Sequence, residues 1–195
     1  MRLRLWLVLF AVALAAAPAS ALAQRVRYHD DYDRPHNLEG RALASVHLGI
    51  SSPTGNFGDA FDSGLGFGGS IGYGISRRVL LSAAISHHEF DHQVFNDESV
   101  SVTPVTFNVD YAFPTSGKIM PWVGGGIGMY SVSDEIVGLP DLDETDFGLN
   151  FGAGIAGPIA RSTLLGGGFR YHFVSGDELP DTEFFTFQIG LGFFL

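Results

Sequence analysis

From residue 44 to the C-terminus, large apolar residues occupy every second position in eight successive stretches. Ala44, Val46, Leu48 and Ile50 alternate with Ser45, His47 and Gly49. Leu65, Phe67, Ile71, Tyr73 and Ile75 alternate with glycines and Ser70. The same rhythm holds for Val79 to Ile85, Val105 to Phe113, Val123 to Met129, Phe147 to Ile155 and Leu165 to Phe173. The last stretch is FFTFQIGLGFFL, Phe184 to Leu195, with no charge. A period of two predicts β-strands that have one apolar face and one small or polar face. In water a run such as the terminal one is an aggregation hazard, so the solvent for the apolar face has to be identified.

The connections alternate in length. Short turns fall near Ser76–Arg78, Pro114–Lys118 and Pro158–Ser162. Longer polar loops cover Ser51–Ser63, Glu89–Val100, Ser131–Asp146 and Val174–Glu183. Strands of roughly ten residues cross a bilayer when tilted. An even strand number with turns at one end and loops at the other is the pattern of outer-membrane barrels. A soluble barrel would place its large apolar side chains inside. Here the second face is glycine, serine, asparagine, glutamine, aspartate and arginine, which suits a narrow polar interior. The apolar face is therefore meant for lipid. The predicted fold is all-β, an eight-stranded antiparallel up-and-down transmembrane β-barrel over residues 42–195.

The N-terminus agrees with export. Arg2 and Arg4 precede an uncharged apolar run from Leu5 to Ala17, and Ala21-Leu22-Ala23 forms a small-x-small cleavage site. These are the parts of a secretory signal peptide over residues 1–23, and the run is short for a membrane span. A polar periplasmic segment, 24–41, is expected to lead into the barrel. The formal charge is −10 and becomes more negative once Arg2 and Arg4 are removed, which argues against a nucleic-acid partner. The absence of cysteine excludes disulfides, zinc–thiolate sites and thiol nucleophiles. A hydrophobic content of 46% and mean hydropathy of +0.20 are high for a soluble secreted domain.

Over about Ala42 to Leu195 the chain resembles the small outer-membrane β-barrels of the OmpA/OmpX type. PTGNFGDAFDSGLGFGGSIGYGIS is similar to that family's first hairpin, and PWVGGGIGMY and GGGFRYHF to its fifth and seventh strands. The ending QIGLGFFL resembles the terminal sorting signal, with Gln188, Gly190, Phe193 and Leu195 in its places and Leu for the more usual final Phe. The resemblance implies a structural or surface-interaction role in the cell envelope, without catalysis and exercised through the four loops. It also implies contact with outer-membrane lipid and lipopolysaccharide, and recognition of the C-terminal strand by the barrel-assembly machinery. A monomer is expected.

Four motifs invite other chemistry. HEFDH, His88 to His92, matches the zinc-protease H-E-x-x-H, but that motif requires a helix and this one sits where a strand enters a loop. GLGFGG, Gly64 to Gly69, matches a dinucleotide fingerprint but lies inside a strand. DLDETD offers Asp141, Asp143, Glu144 and Asp146 to a cation, yet lacks the glycine of an EF-hand turn. Ser86, His87 and Glu89 evoke lipid A-modifying barrels, but neighbours on a strand alternate faces. No residue is assigned a catalytic, cofactor-binding or metal-binding role. The alternatives are a lipid A-modifying enzyme and a narrow solute conduit.

Charge completes the picture. Sixteen of the 21 acidic residues fall in the four long loops, which contain no Lys or Arg. Arg77, Arg78, Lys118 and Arg161 occupy the short turns. Short turns and both termini are expected in the periplasm, with the acidic loops outside. Arg170 and Asp110, a strand-borne acid, are expected inside the barrel in one polar network with Asn108, His172 and Gln188, because an arginine on the lipid face would cost roughly 2–4 kcal/mol.

Overall fold

The computed structural model describes residues 37–91, 99–135, 142–175 and 182–195. The expected signal peptide, most of the polar segment, His92 and Asp141 lie outside the described residues. The strands are β1 (Ala42–Thr54), β2 (Gly64–Gly74), β3 (Val79–Asp91) and β4 (Ser99–Ala112), then β5 (Met120–Glu135), β6 (Leu142–Ala160), β7 (Thr163–Val174) and β8 (Thr182–Phe194). A single helical turn, α1 (Gly55–Gly58), follows β1. Each strand pairs antiparallel with the next, and β8 pairs with β1, so the sheet closes into a barrel.

Closure carries a stagger that can be followed residue by residue. A line of directly opposed residues runs Ala44, Ile71, Ala83, Phe107, Ile127, Leu149, Phe173, Glu183 and back to β1 at Thr54. Eight strands with this ten-residue stagger tilt about 40° from the barrel axis. That tilt makes an interior narrow enough for side chains to fill.

The faces fall as the alternation predicts. Leu65, Phe107, Leu48 and Phe187 are 72%, 68%, 63% and 61% exposed, values that only a lipid solvent makes tolerable. Inside, glycines face the larger polar residues of neighbouring strands. Asp110 pairs with Gly124 and Asn108 with Gly126, and a Cβ at either glycine would collide with the facing side chain.

Beyond the lipid-facing belt the arrangement inverts. At the loop end the outward positions become Ser52, Glu89, Thr103, Ser131, Thr145 and Glu183. The inward positions of β3, β4, β5, β7 and β8 in the same region become apolar, whereas β6 turns Glu144 and Asp146 inward beside Val132 and Tyr130. Phe90, Val100, Val102, Tyr130, Val132, Val174 and Phe184 form one buried cluster, joined by Phe57 from α1. This inward alternation continues β4 and β5 into segments expected to be loops, so β4 begins at Ser99 and β5 runs to Glu135. The expected uniformly polar inner face is corrected accordingly. It is polar at the middle depth and largely apolar nearer the loops.

A smaller apolar cluster lies at the turn end, formed by Ala112, Met120, Leu164, Phe194 and Leu38. Leu38 comes from the segment read as polar. Residues 37–41 fold back across the barrel mouth, with the Leu38 amide donating to Arg77 O at 3.2 Å and the Gly40 amide to Gly74 O at 2.9 Å. Arg41 places its guanidinium 3.4 Å over the Phe194 ring. Leu38→Ala is expected to lower barrel stability by about 2 kcal/mol, the low end for a buried leucine. Urea unfolding in detergent micelles reads this as a lowered midpoint; an unchanged midpoint means that Leu38 is not a core residue.

Candidate functional site

The interior between the two apolar clusters is the only stretch of lumen, among the described residues, where polar side chains converge. Arg170 on β7 is its centre. Its Nη2 donates to Asp110 Oδ1 at 3.2 Å, and its Nη1 to Asn108 Oδ1 at 3.2 Å and to Asn150 Oδ1. Both charged side chains are largely buried, at 15% and 18% exposure. A charge so withdrawn from water persists only when paired and hydrogen-bonded. The Trp122 ring lies 5.6 Å from the guanidinium and adds a cation–π contact. β7 can deliver Arg170 here because its β6 partner is Gly152, which occupies no lumen volume.

A second layer lies nearer the loops. His88 on β3 is buried with Ser51 Oγ 2.7 Å from Nδ1 and Ser86 Oγ 2.9 Å from Nε2. Ser51 also reaches Thr186 at 3.1 Å across the β1–β8 closure. His172 bonds the Tyr130 hydroxyl at 3.0 Å and stacks on Phe184, with centroids 4.5 Å apart. Of the expected network, Arg170, Asp110 and Asn108 are joined directly, while His172 belongs to this upper layer. Gln188 lines a cavity of about 220 Å³ alongside Ser45, His47, Ser82 and Arg170.

The Ser51–His88–Ser86 arrangement went unseen in the sequence. The signal was present in part, since Ser86 and His88 are two apart and share a strand face. Ser51 joins them only through barrel closure. Both imidazole nitrogens face serine hydroxyls, so His88 lacks the carboxylate partner of a catalytic triad.

The other motifs do not assemble. Ser86 points inward, whereas His87 and Glu89 point outward, and His87 Nδ1 lies 2.9 Å from Thr103 Oγ1. HEFDH is strand as far as Asp91, so His88 turns into the lumen and Glu89 away from it. GLGFGG lies within β2. Asp143, Glu144 and Asp146 lie on the extended part of β6. Among the described residues no group of three or more His, Asp or Glu is placed to hold a metal ion.

Arg170→Leu is expected to destabilise the folded barrel by about 3 kcal/mol, because it leaves the Asp110 carboxylate buried and unpaired. The double variant Arg170→Leu/Asp110→Asn should recover part of that loss. Unfolding midpoints in detergent test both; additive losses would show that the pair is not coupled.

Comparison with known proteins adds three findings. The family model described as outer membrane protein beta-barrel domain matches residues 7–193. No curated protein matches the chain. Among solved structures, Neisserial surface protein A is similar at a TM-score of 0.65 and 16% identity, covering 80% of this chain and 99% of that one. The N-terminal β-barrel domain of Pseudomonas aeruginosa OprF gives 0.56 at 18% identity, covering 80% and 98%. Ail, the attachment invasion locus protein of Yersinia pestis, in complex with the heparin analogue sucrose octasulfate, gives 0.55 at 15%, covering 80% and 99%. At these identities the likeness is one of fold.

Proposed function

We propose, for a chain that belongs to the outer membrane protein beta-barrel domain family, a non-catalytic structural and surface-interaction role in the outer membrane. The observation that carries this reading is a closed barrel whose interior is occupied by its own side chains, from the Arg170–Asp110 network to the two apolar clusters. An eight-stranded barrel filled by its own side chains makes a poor conduit, which favours the lipid-facing wall and the loops as the working surfaces. Both imidazole nitrogens of His88 are engaged by serines, which argues against an acid–base role. The barrel is read as a monomer whose C-terminal strand is recognised during assembly. Its lipid neighbours include lipopolysaccharide in the outer leaflet.

The charge layout supports an orientation. The turns carry the basic residues and the long loops carry acids alone. We place the turns and both termini in the periplasm and the acidic loops outside, where they bridge lipid phosphates through divalent cations or stand clear of them. An epitope inserted near Gly138 should be labelled on intact cells, and one near Ser116 should not. Surface labelling at Ser116 would reverse the orientation. Lipid A mass spectra with and without the gene should be identical; a changed acyl pattern would replace this reading with an enzymatic one.

A further inference from the structure

We infer that the turn end of the barrel is a cationic collar that binds the headgroups of anionic glycerophospholipids. Every described connection at that end carries a cation. Arg77 and Arg78 lie in the β2–β3 turn, Lys118 in the β4–β5 turn and Arg161 in the β6–β7 turn, while Arg41 leads into β1. The turns are spread around the barrel, so the cations encircle it. Among the described residues at that end, the opposing side-chain charge is Glu39, 3.8 Å from Arg77.

Depth identifies the occupant. The last outward apolar residues before the turns are Ile75, Phe113, Ile119 and Ile159, all exposed to the lipid side. The cations follow within three residues, which places them at the headgroup layer rather than in the acyl region. Arg78 fixes that level, its Nη1 donating at 3.3 Å to the hydroxyl of Tyr111, which packs edge-on against Phe113. An aromatic ring with its hydroxyl at the interface is a depth marker for the polar–apolar boundary. Arg78, Lys118 and Arg161 are exposed, and the Arg77 side chain is 78% exposed, so their charges are available to a ligand.

The partner's chemistry follows from charge. Zwitterionic headgroups offer each phosphate with its own ammonium, whereas phosphatidylglycerol offers an uncompensated phosphate. Attraction to such a surface falls off within a Debye length of about 8 Å, so only cations already at headgroup depth gain from it. The loop end has no Lys or Arg in its four loops, so the preference belongs to one end alone. The choice of glycerophospholipid over lipopolysaccharide as the source of phosphate rests on the orientation proposed above.

The test uses the mature barrel folded into nanodiscs of equimolar phosphatidylcholine and phosphatidylglycerol, with the retained lipids counted by native mass spectrometry. Wild type should retain phosphatidylglycerol over phosphatidylcholine by at least about threefold, and high salt should erode the excess. The variant Arg77→Gln/Arg78→Gln/Lys118→Gln/Arg161→Gln should retain the two lipids in their bulk ratio. The charge-conserving Arg77→Lys/Arg78→Lys/Arg161→Lys should keep the preference. A heat-modifiable band on gels establishes that each variant is folded. Bulk-ratio retention by wild type, or an unchanged preference in the glutamine variant, would overturn the collar. The cell-surface labelling reads orientation separately: reversed labelling with the lipid preference intact contradicts the topology while upholding the collar.

Discussion

Everything in this molecule depends on the pairing of β8 with β1. Within lipid an unpaired backbone amide or carbonyl has no water to turn to, and each costs several kcal/mol. Closure removes both sheet edges at once, matching Leu43 through Thr54 against Glu183 through Phe194. With the strand number and the stagger set, the tilt and radius follow, and the radius limits what the lumen can hold. The glycines facing Asp110 and Asn108 are a consequence of that radius, since the polar side chains fit only where the adjacent strand has none.

The second consequence is the inversion of the two faces along the barrel axis. Across the lipid belt the chain is apolar outside and polar inside, with Arg170 and Asp110 as a buried, mutually compensated pair. Past the belt the outside meets water and becomes polar, and the inside of β3, β4, β5, β7 and β8 takes over the apolar role. Phe90, Phe184 and Tyr130 are fully buried there, behind outward Glu89, Glu183 and Ser131. The protruding part is thus an ordinary water-soluble β-structure with its own core, continuous with a membrane barrel built on the opposite plan.

The strand count, the outward face and the inward turn of Arg170 were legible because each is local: a period of two, or one charge that lipid would not tolerate. The apolar clusters were not legible from the same alternation. Val100, Val102 and Val132 keep the inner parity of their strands, but Val100 and Val102 precede, and Val132 follows, segments whose apolar residues lie on the other parity, so Val100 and Val132 read as loop. Leu38 sits among charged and polar neighbours, and only the returning strap shows its burial. Ser51 and Thr186 are 135 residues apart and meet only across the closing seam, which no local pattern encodes.

The inversion is the central claim, and β4 tests it in a single strand. The chain has no cysteine, so single-cysteine variants along β4 can be spin-labelled without background. Collision with oxygen, which partitions into lipid, and with a water-soluble nickel chelate should be measured at each position in lipid vesicles. Labels at Val105, Phe107 and Val109 should favour oxygen, and those at Ser101 and Thr103 the nickel chelate. A label at Val102 should be shielded from both. Water accessibility at Val102 equal to that at Ser101, or lipid exposure continuing through Thr103 and Ser101, would contradict the inversion.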